Sequence, residues 1–519
     1  MGSGLPKDVR PIAIVVVIGA LMSILDTTIV NVALQTLRQD LNVSLATIQW
    51  VSTGYLLALA AVIPLTGWMA ERFGPRRVWM VAVGAFVLTS ALCGAAWNAN
   101  TLIAFRVLQG LAGGMIMPIG MITLAQAAGP KRMGRVMSVV GVPMLLGPVV
   151  GPVLGGVLVD NLSWRWIFYV NVPVGAIGLV LAYRLLPRGR AAGHASEAGH
   201  ATPPLDKLGL LLLSPGVAAI VFGLSEVGTR RTLTVASAWV PLVVGLLMVA
   251  AFVVRATRIE HPLVEVKLFR GAGFSAAAAT TSLVGGALFG SMILLPLYYQ
   301  VVRGQSPLDA GLLMMPQGVG AAIGMNVAGR LTDRIGAGRV VPVGLLILAL
   351  GTVPYATIGG NTSYVVLMVG LFVRGLGLGG TMMPAMAAAY ATLDSGAQVP
   401  RATPMLNVLQ RIGGSIGVAV LTVILENSLR SEVAGAGGGG AAGDGAVGGA
   451  LPDAVRVRLL DPLGTAFAHA YTWSLVGILL ALIPALLLMR EERRARRRAA
   501  ADAAGKGDGS VAERAVVAA

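Results

Sequence analysis

Apolar residues in this chain come in long unbroken blocks separated by short polar stretches. A helix needs about 20 such residues to cross a bilayer core. Runs of that kind recur fourteen times, at 11–32, 48–68, 78–97, 102–123, 136–157, 166–186, 208–225, 239–254, 274–301, 310–328, 340–358, 364–387, 405–425 and 467–489. The pattern predicts an all-α polytopic membrane protein with about fourteen transmembrane helices. The first run is too long for a signal-peptide core and lacks a small-residue cleavage site, so it reads as a spanning helix.

The polar stretches set the expected orientation. Alternate loops are basic, at 71–77, 131–135, 184–207, 255–270 and 330–339, as are Arg401 and the tail from Arg490. Basic loops face the cytoplasm. The opposite loops carry few charges, Arg230 and Arg231 being the main exception. Both termini are then expected on the cytoplasmic side of a multi-pass protein of the cell (inner) membrane. Two stretches, 191–204 and 435–450, are too rich in Gly and Ala to bury a core. They read as a linker, in which His194 and His200 are solvated, and an outer loop.

Composition agrees with the pattern. Hydrophobic residues make up 56% of the 519 and charged residues 12%, against about 25% charged in soluble domains. The net charge of +16 first suggests a nucleic-acid partner, but the Lys and Arg sit in membrane-flanking loops, which argues against one. A single cysteine, Cys93, excludes a disulfide framework or a cysteine metal site and reads as a small packing residue.

The chain also repeats itself. GGMIMP at 113–118 is echoed by GGTMMP at 379–384, and GWMAERFGPRR at 67–77 by GRLTDRIGAGR at 329–339, each offset by about 260 residues. Such internal symmetry marks secondary transporters, whose halves rock about a central site. The expected organisation is an N-terminal six-helix bundle (11–186), a cytoplasmic linker (187–207) and two inserted helices (208–254). Beyond these lie a C-terminal six-helix bundle (274–489) with an outer Gly-rich loop (427–465), then a basic cytoplasmic tail (490–519).

Ionisable residues inside a span are functional candidates by default. Nearly every Asp and Glu lies in a loop, a tail or near a helix end, Glu226 and Glu426 included; Asp26 alone lies well within a span. At 1.5 Å per residue it sits roughly 22 Å from the cytoplasmic entry of its helix, and Arg106 roughly 9 Å from the outer entry of its own. The two therefore reach similar depth and read as a proton-coupling pair, the carboxylate titrating according to its guanidinium neighbour and its hydration. A static ion pair joining two helices is the bland alternative. Gln109 is one turn from Arg106. With Asn31, Arg374, Met115 and Tyr298 it makes up the candidates for the substrate cavity. The two echoed loops, with Gly67, Glu71, Arg72, Gly74, Asp333 and Arg334, read as gates whose ion pairs form in one conformation and break in another. The density of Gly and Pro at 141–152, including Gly147, Pro148, Gly151 and Pro152, reads as a hinge and a close helix seam.

These motifs together resemble the major facilitator superfamily, and within it the fourteen-helix drug:proton antiporter branch (EmrB/QacA-type). LDTTIVNVAL at 25–34 looks like the first-helix signature of that branch, 67–77 its loop signature, RVLQG at 106–110 its fourth-helix signature and 141–156 its fifth-helix antiporter signature. SWRWIFYVNVP at 163–173, LPLYYQ at 295–300 and RIGGSIG at 411–417 are similar to it too. Glu71 stands where the loop signature usually has Asp, and Pro75 where it usually has Arg. The acid that some members carry deep in a second-half helix is not evident.

The resemblance implies a transporter that exchanges protons for small, amphipathic or hydrophobic compounds, such as drugs or antibiotics, by alternating access. Its partners would be substrate, protons and the lipid bilayer; a monomer without cofactor or metal is expected. Export of an endogenous lipid or metabolite is the alternative within transport. A membrane-embedded enzyme is a further alternative, but His261 and His469 have no catalytic company. No phosphate-binding Gly-x-x-x-x-Gly-Lys-Ser/Thr loop points to a primary pump.

Overall fold

The computed structural model describes residues 9–129, 132–187, 204–230, 235–393, 398–435 and 459–517. Every regular element among them is helical. In chain order these are α1 (Arg10–Asp40), α2 (Leu45–Val62), α3 (Thr66–Phe73), α4 (Pro75–Gly94), α5 (Ala99–Ala128), α6 (Met133–Asn161), α7 (Trp166–Tyr169) and α8 (Asn171–Leu185). They continue as α9 (Lys207–Arg230), α10 (Ala236–Arg258), α11 (Ala272–Leu297), α12 (Pro307–Ile335) and α13 (Ala337–Ala356). The last four are α14 (Tyr364–Gly379), α15 (Met382–Ala391), α16 (Val399–Gly435) and α17 (Leu460–Val517). Twelve helical runs are long and apolar enough to cross a membrane. α6 and α12 fall outside those twelve, yet each has 29 residues, roughly 43 Å of helix. With them the count is compatible with the fourteen spans expected.

Local chemistry sets many of the boundaries. The Ser44 hydroxyl accepts from the backbone N–H of Thr47 and caps α2, and Asn98 with Thr101 forms a capping box at α5. Two near-identical tight turns, at Gly74 (φ 83°) and Gly336 (φ 93°), join α3 to α4 and α12 to α13. Both need a backbone that L side chains rarely adopt, so the sequence echo is also a conformational one. Several spans among the described residues are interrupted. Pro64 sits in a 3-10 turn between α2 and α3, α7 gives way to α8 at Val170, and Gly380–Thr381 separates α14 from α15.

Some helices outrun their apolar blocks. α1 continues to Asp40, whose carboxylate accepts from the Trp164 indole at 2.7 Å. α16 extends to Gly435, so the start of the expected outer loop at 427 is helical. α17 carries straight on into the basic tail. The stretches 188–203 and 436–458 lie outside the described residues, as does most of both expected Gly-rich segments.

α1 packs on α5, α6 and α8, with α2 and α4 flanking α5; α11 packs on α15, α16 and α17, while α13 and α14 join α12. Between these groups α6 runs along α12, and α16 touches α3 and α5. The inserted pair α9 and α10 meets through small residues: a Cβ on Gly223 would lie 2.8 Å from the Ala238 carbonyl, and one on Gly245 2.7 Å from that of Gly216. α9 in turn leans on α2 and α16, with Trp50 and Phe222 stacked at 5.9 Å. α10 is the outermost span. Polarity is inverted relative to a soluble protein: Val81, Leu247, Leu350 and Val365 are exposed, whereas Asp26, Arg106, Gln109, Asn171 and Arg374 are buried. This is the arrangement of a body solvated by lipid tails.

Candidate functional site

Asp26 is fully enclosed at the centre of the N-terminal helices. Its Oδ2 accepts from Arg106 Nη1 at 2.6 Å. Its Oδ1 accepts from Gln109 Nε2 at 3.0 Å and from Asn171 Nδ2 at 2.9 Å. Arg106 is held as firmly: Nε donates to the Val51 carbonyl at 3.1 Å, Nη1 also reaches Gln109 Oε1 at 2.7 Å, and the guanidinium lies 4.0 Å above the Tyr55 ring. Asn171 also donates to Ser90 Oγ at 3.1 Å, and the Cys93 thiol to Gln109 Oε1 at 3.5 Å. Three spans, α1, α5 and α8, therefore meet at the carboxylate, and α2 and α4 hold its partners. Charge-assisted bonds in a dry interior are strong while both partners are charged. Removal of one charge leaves the other buried and unpaired, at a cost of several kcal/mol.

The sequence brings Asp26, Arg106 and Gln109 into view; the structure joins them directly. Asn171, Ser90 and Tyr55 went unsuspected as members. Asn171 is nonetheless visible as a polar residue within an apolar block and inside the family-like stretch 163–173, whereas Ser90 and Tyr55 carry no signal of that kind. Cys93 does pack, but against the polar network.

The Gly-rich face of α6 lies against α1 on either side of Asp26. A Cβ on Gly147 would sit 2.3 Å from Ile24 Cγ2, and one on Gly151 1.9 Å from Thr28 Oγ1. Glycine is required at both positions by close approach. α6 is helical through Pro148 and Pro152; their side chains lie outside the described residues. Higher on the same helix, Gly141 faces Met325 of α12 and Met383 of α15.

The echoed loops differ in where they reach. Gly67 touches α16 so closely that a Cβ would lie 2.2 Å from the Pro400 carbonyl. Glu71 pairs with Arg401 at the start of α16 (3.0 Å), and Arg401 also approaches Glu265 at 3.7 Å. The ion pair thus links segments 330 residues apart. In the second loop, the Gly338 N–H donates to Glu492 of α17 at 2.6 Å; Asp333 is partly buried and Arg334 exposed.

The remaining cavity candidates do not gather at Asp26. Asn31 is exposed and accepts from Ser52 Oγ at 3.0 Å. Met115 is partly buried among core side chains. Tyr298 is fully buried near the other end of α11, its hydroxyl donating to the Gly359 carbonyl at 2.9 Å. Arg374 is 2% exposed, and its Nε and Nη1 have no hydrogen-bond partner; Tyr471 lies 5.8 Å away.

Comparison with known proteins places this geometry. Residues 16–418 match the Major Facilitator Superfamily. The chain is 45% identical over 414 residues to the multidrug resistance protein B homolog of Mycobacterium tuberculosis, covering 79% of this chain and 75% of that one. It is 31% identical to the tetracenomycin C resistance and export protein of Streptomyces glaucescens, covering 82% and 77% respectively. In fold it is similar to the human organic anion transporter MFSD10, with a TM-score of 0.61 at 17% identity over 93% of this chain and 100% of that one.

Proposed function

The chain belongs to the major facilitator superfamily, a transporter rather than an enzyme, and on that premise we propose that it exports small amphipathic or hydrophobic compounds in exchange for protons. Relatives named for drug resistance and antibiotic export support the direction and the cargo class. The observation that carries the proton coupling is the fully buried Asp26 carboxylate, matched by Arg106, Gln109 and Asn171.

Two conformations give this carboxylate two environments. With Arg106 at 2.6 Å the charged form is matched and the proton is released. When α1 moves against α6 and the pair separates, a desolvated carboxylate without its counter-charge takes up a proton. The glycine face formed by Gly147 and Gly151 gives α1 a smooth track beside the titrating group. The Glu71–Arg401 contact holds the basic-loop end together in one state and opens in the other. On this reading the α1–α8 and α11–α17 groups are the rocking halves, and α9 and α10 ride on their junction. The basic loops and both termini face the cytoplasm of a cell membrane, and the monomer suffices.

The test begins with a substrate screen in a strain lacking its own pumps, with and without a proton gradient. The protein is then reconstituted in vesicles with Asp26→Asn. Gradient-driven efflux should fall to background while gradient-free exchange of substrate persists. Undiminished gradient-driven efflux in that variant contradicts the assignment.

A further inference from the structure

Among the described residues three arginines lie deep within spans, and each has a different setting. Arg106 has its carboxylate. Arg374 is walled in beside Tyr471. Arg411 lies twelve residues along α16 from Val399, roughly 18 Å from the start of that helix, and lines a cavity of about 270 Å³ between α2, α9, α11 and α16. Among the described residues no carboxylate, carbonyl or aromatic ring pairs with its guanidinium. A cation at mid-span is costly and is retained where it meets a counter-charge or a ligand.

We propose that this cavity binds an amphipathic small-molecule anion, with Arg411 taking its carboxylate or sulfonate group and the apolar walls taking its body. The walls suit such a ligand: Leu56 of α2, Phe289 and Ile293 of α11 and Val221 of α9 line the cavity with Arg411, and Thr53 and Ser415 add hydroxyl groups to the lining. An apolar pocket with a few convergent polar groups is the usual form of a small-molecule site, and this volume falls just below the ~300–1,000 Å³ range typical of drug-sized ligands, so it suits a compact one. The backbone fixes the orientation of Arg411. Gly413 and Gly417 press on Ser282 and Gly286 of α11, where a Cβ would lie 2.2 Å and 2.1 Å from their carbonyl oxygens. That face of α16 is therefore committed to α11, and Arg411, Gly414 and Ser415 turn to the cavity. At this depth a phospholipid headgroup is out of reach, so a small molecule is the occupant.

The site also gives the inserted pair a role. α9 supplies the fourth wall through Val221, Leu224 and Ser225, and the Trp50–Phe222 stack ties it to α2. Removing the pair would open the cavity to lipid. The transport reading bears on whether the bound anion is then carried across the membrane; occupancy itself requires neither a gradient nor Asp26.

The full chain in phosphatidylcholine nanodiscs can be titrated with two fluorescent probes of matched shape, anilinonaphthalene sulfonate (an anion) and phenylnaphthylamine (uncharged), over empty discs. Arg411→Gln should weaken the anion roughly tenfold or more, the scale of a charge-assisted hydrogen bond, and leave the uncharged probe within about twofold. Arg411→Lys should restore most of the anion affinity. Val221→Trp, which fills the cavity and keeps the charge, should abolish both. If Arg411→Gln changes the two probes equally or neither, or if Val221→Trp leaves both bound, the site is not there. Asp26→Asn should bind the anion like the parent protein, so failure of proton coupling and failure of this site read out separately.

Discussion

Arg106 and Arg374 make the most instructive comparison in the molecule. Both sit mid-span, both lie a few residues before an echoed Gly-Gly motif, and both are almost wholly buried, at 1% and 2% exposure. Arg106 meets a carboxylate, an amide, a backbone carbonyl and an aromatic face. Arg374 meets aromatic residues, and two of its nitrogens have no partner. The repeat therefore duplicates architecture without duplicating chemistry. Among the described residues, a mid-span arginine paired with a group that one proton can neutralise occurs in the first half alone, which is why we assign the proposed proton coupling to the α1–α5–α8 contact.

The comparison is broken most forcefully by removing each guanidinium in turn. Arg106→Met strands Asp26 and should destabilise the protein by about 3–5 kcal/mol. Arg374→Met removes a cation that has no counter-charge among the described residues and should be near neutral or stabilising. Thermal unfolding of the two variants in the same detergent checks this, and an equally large loss in both would erase the distinction. Next in size is the glycine track. Gly151→Ala drives a methyl into Thr28, with no room to spare, and should cost about 1–3 kcal/mol together with much of the transport rate. Gly156, five residues on, has nothing within 4 Å of its Cβ position, so Gly156→Ala should do neither. Smallest is the Glu71–Arg401 pair, whose side chains are 20% and 29% exposed. A double-mutant cycle with Gln at each position should give a coupling of roughly 0.2–1 kcal/mol. Exchanging the two charges should recover the function that either reversal alone removes; no recovery would mean the contact anchors the loop without gating.

What was legible in the sequence depends on how local each feature is. Spans are set by local apolar length, so most of their positions could be read directly, and the expected fourteen is compatible with the twelve long apolar helical runs plus α6 and α12. The deep acid and its base were legible for the same reason: charge within an apolar block stands out. Partners supplied by another helix were not. Asn171 reaches Asp26 across 145 residues of chain, and Arg401 reaches Glu71 across 330; only packing brings them together. Glycine density at 141–156 signalled close contact, but not that Gly147 and Gly151 would face Ile24 and Thr28. Tyr298 illustrates the converse. An aromatic in a family-like motif suggested a cavity, whereas its hydroxyl serves a carbonyl beside a helix end. The extra length of α1 and α16 was hidden because a helix continues past its apolar run wherever tertiary contacts, such as Asp40 with Trp164, hold it.

The central claim, that substrate and proton compete through Asp26, is tested most directly by proton release from the purified protein in a weakly buffered indicator solution. Adding the compound returned by the screen to the parent protein should release protons, with an amplitude that saturates alongside binding. Asp26→Asn should bind the compound and release none. Equal release from both proteins would contradict the account, since the exchanged proton would then reside elsewhere.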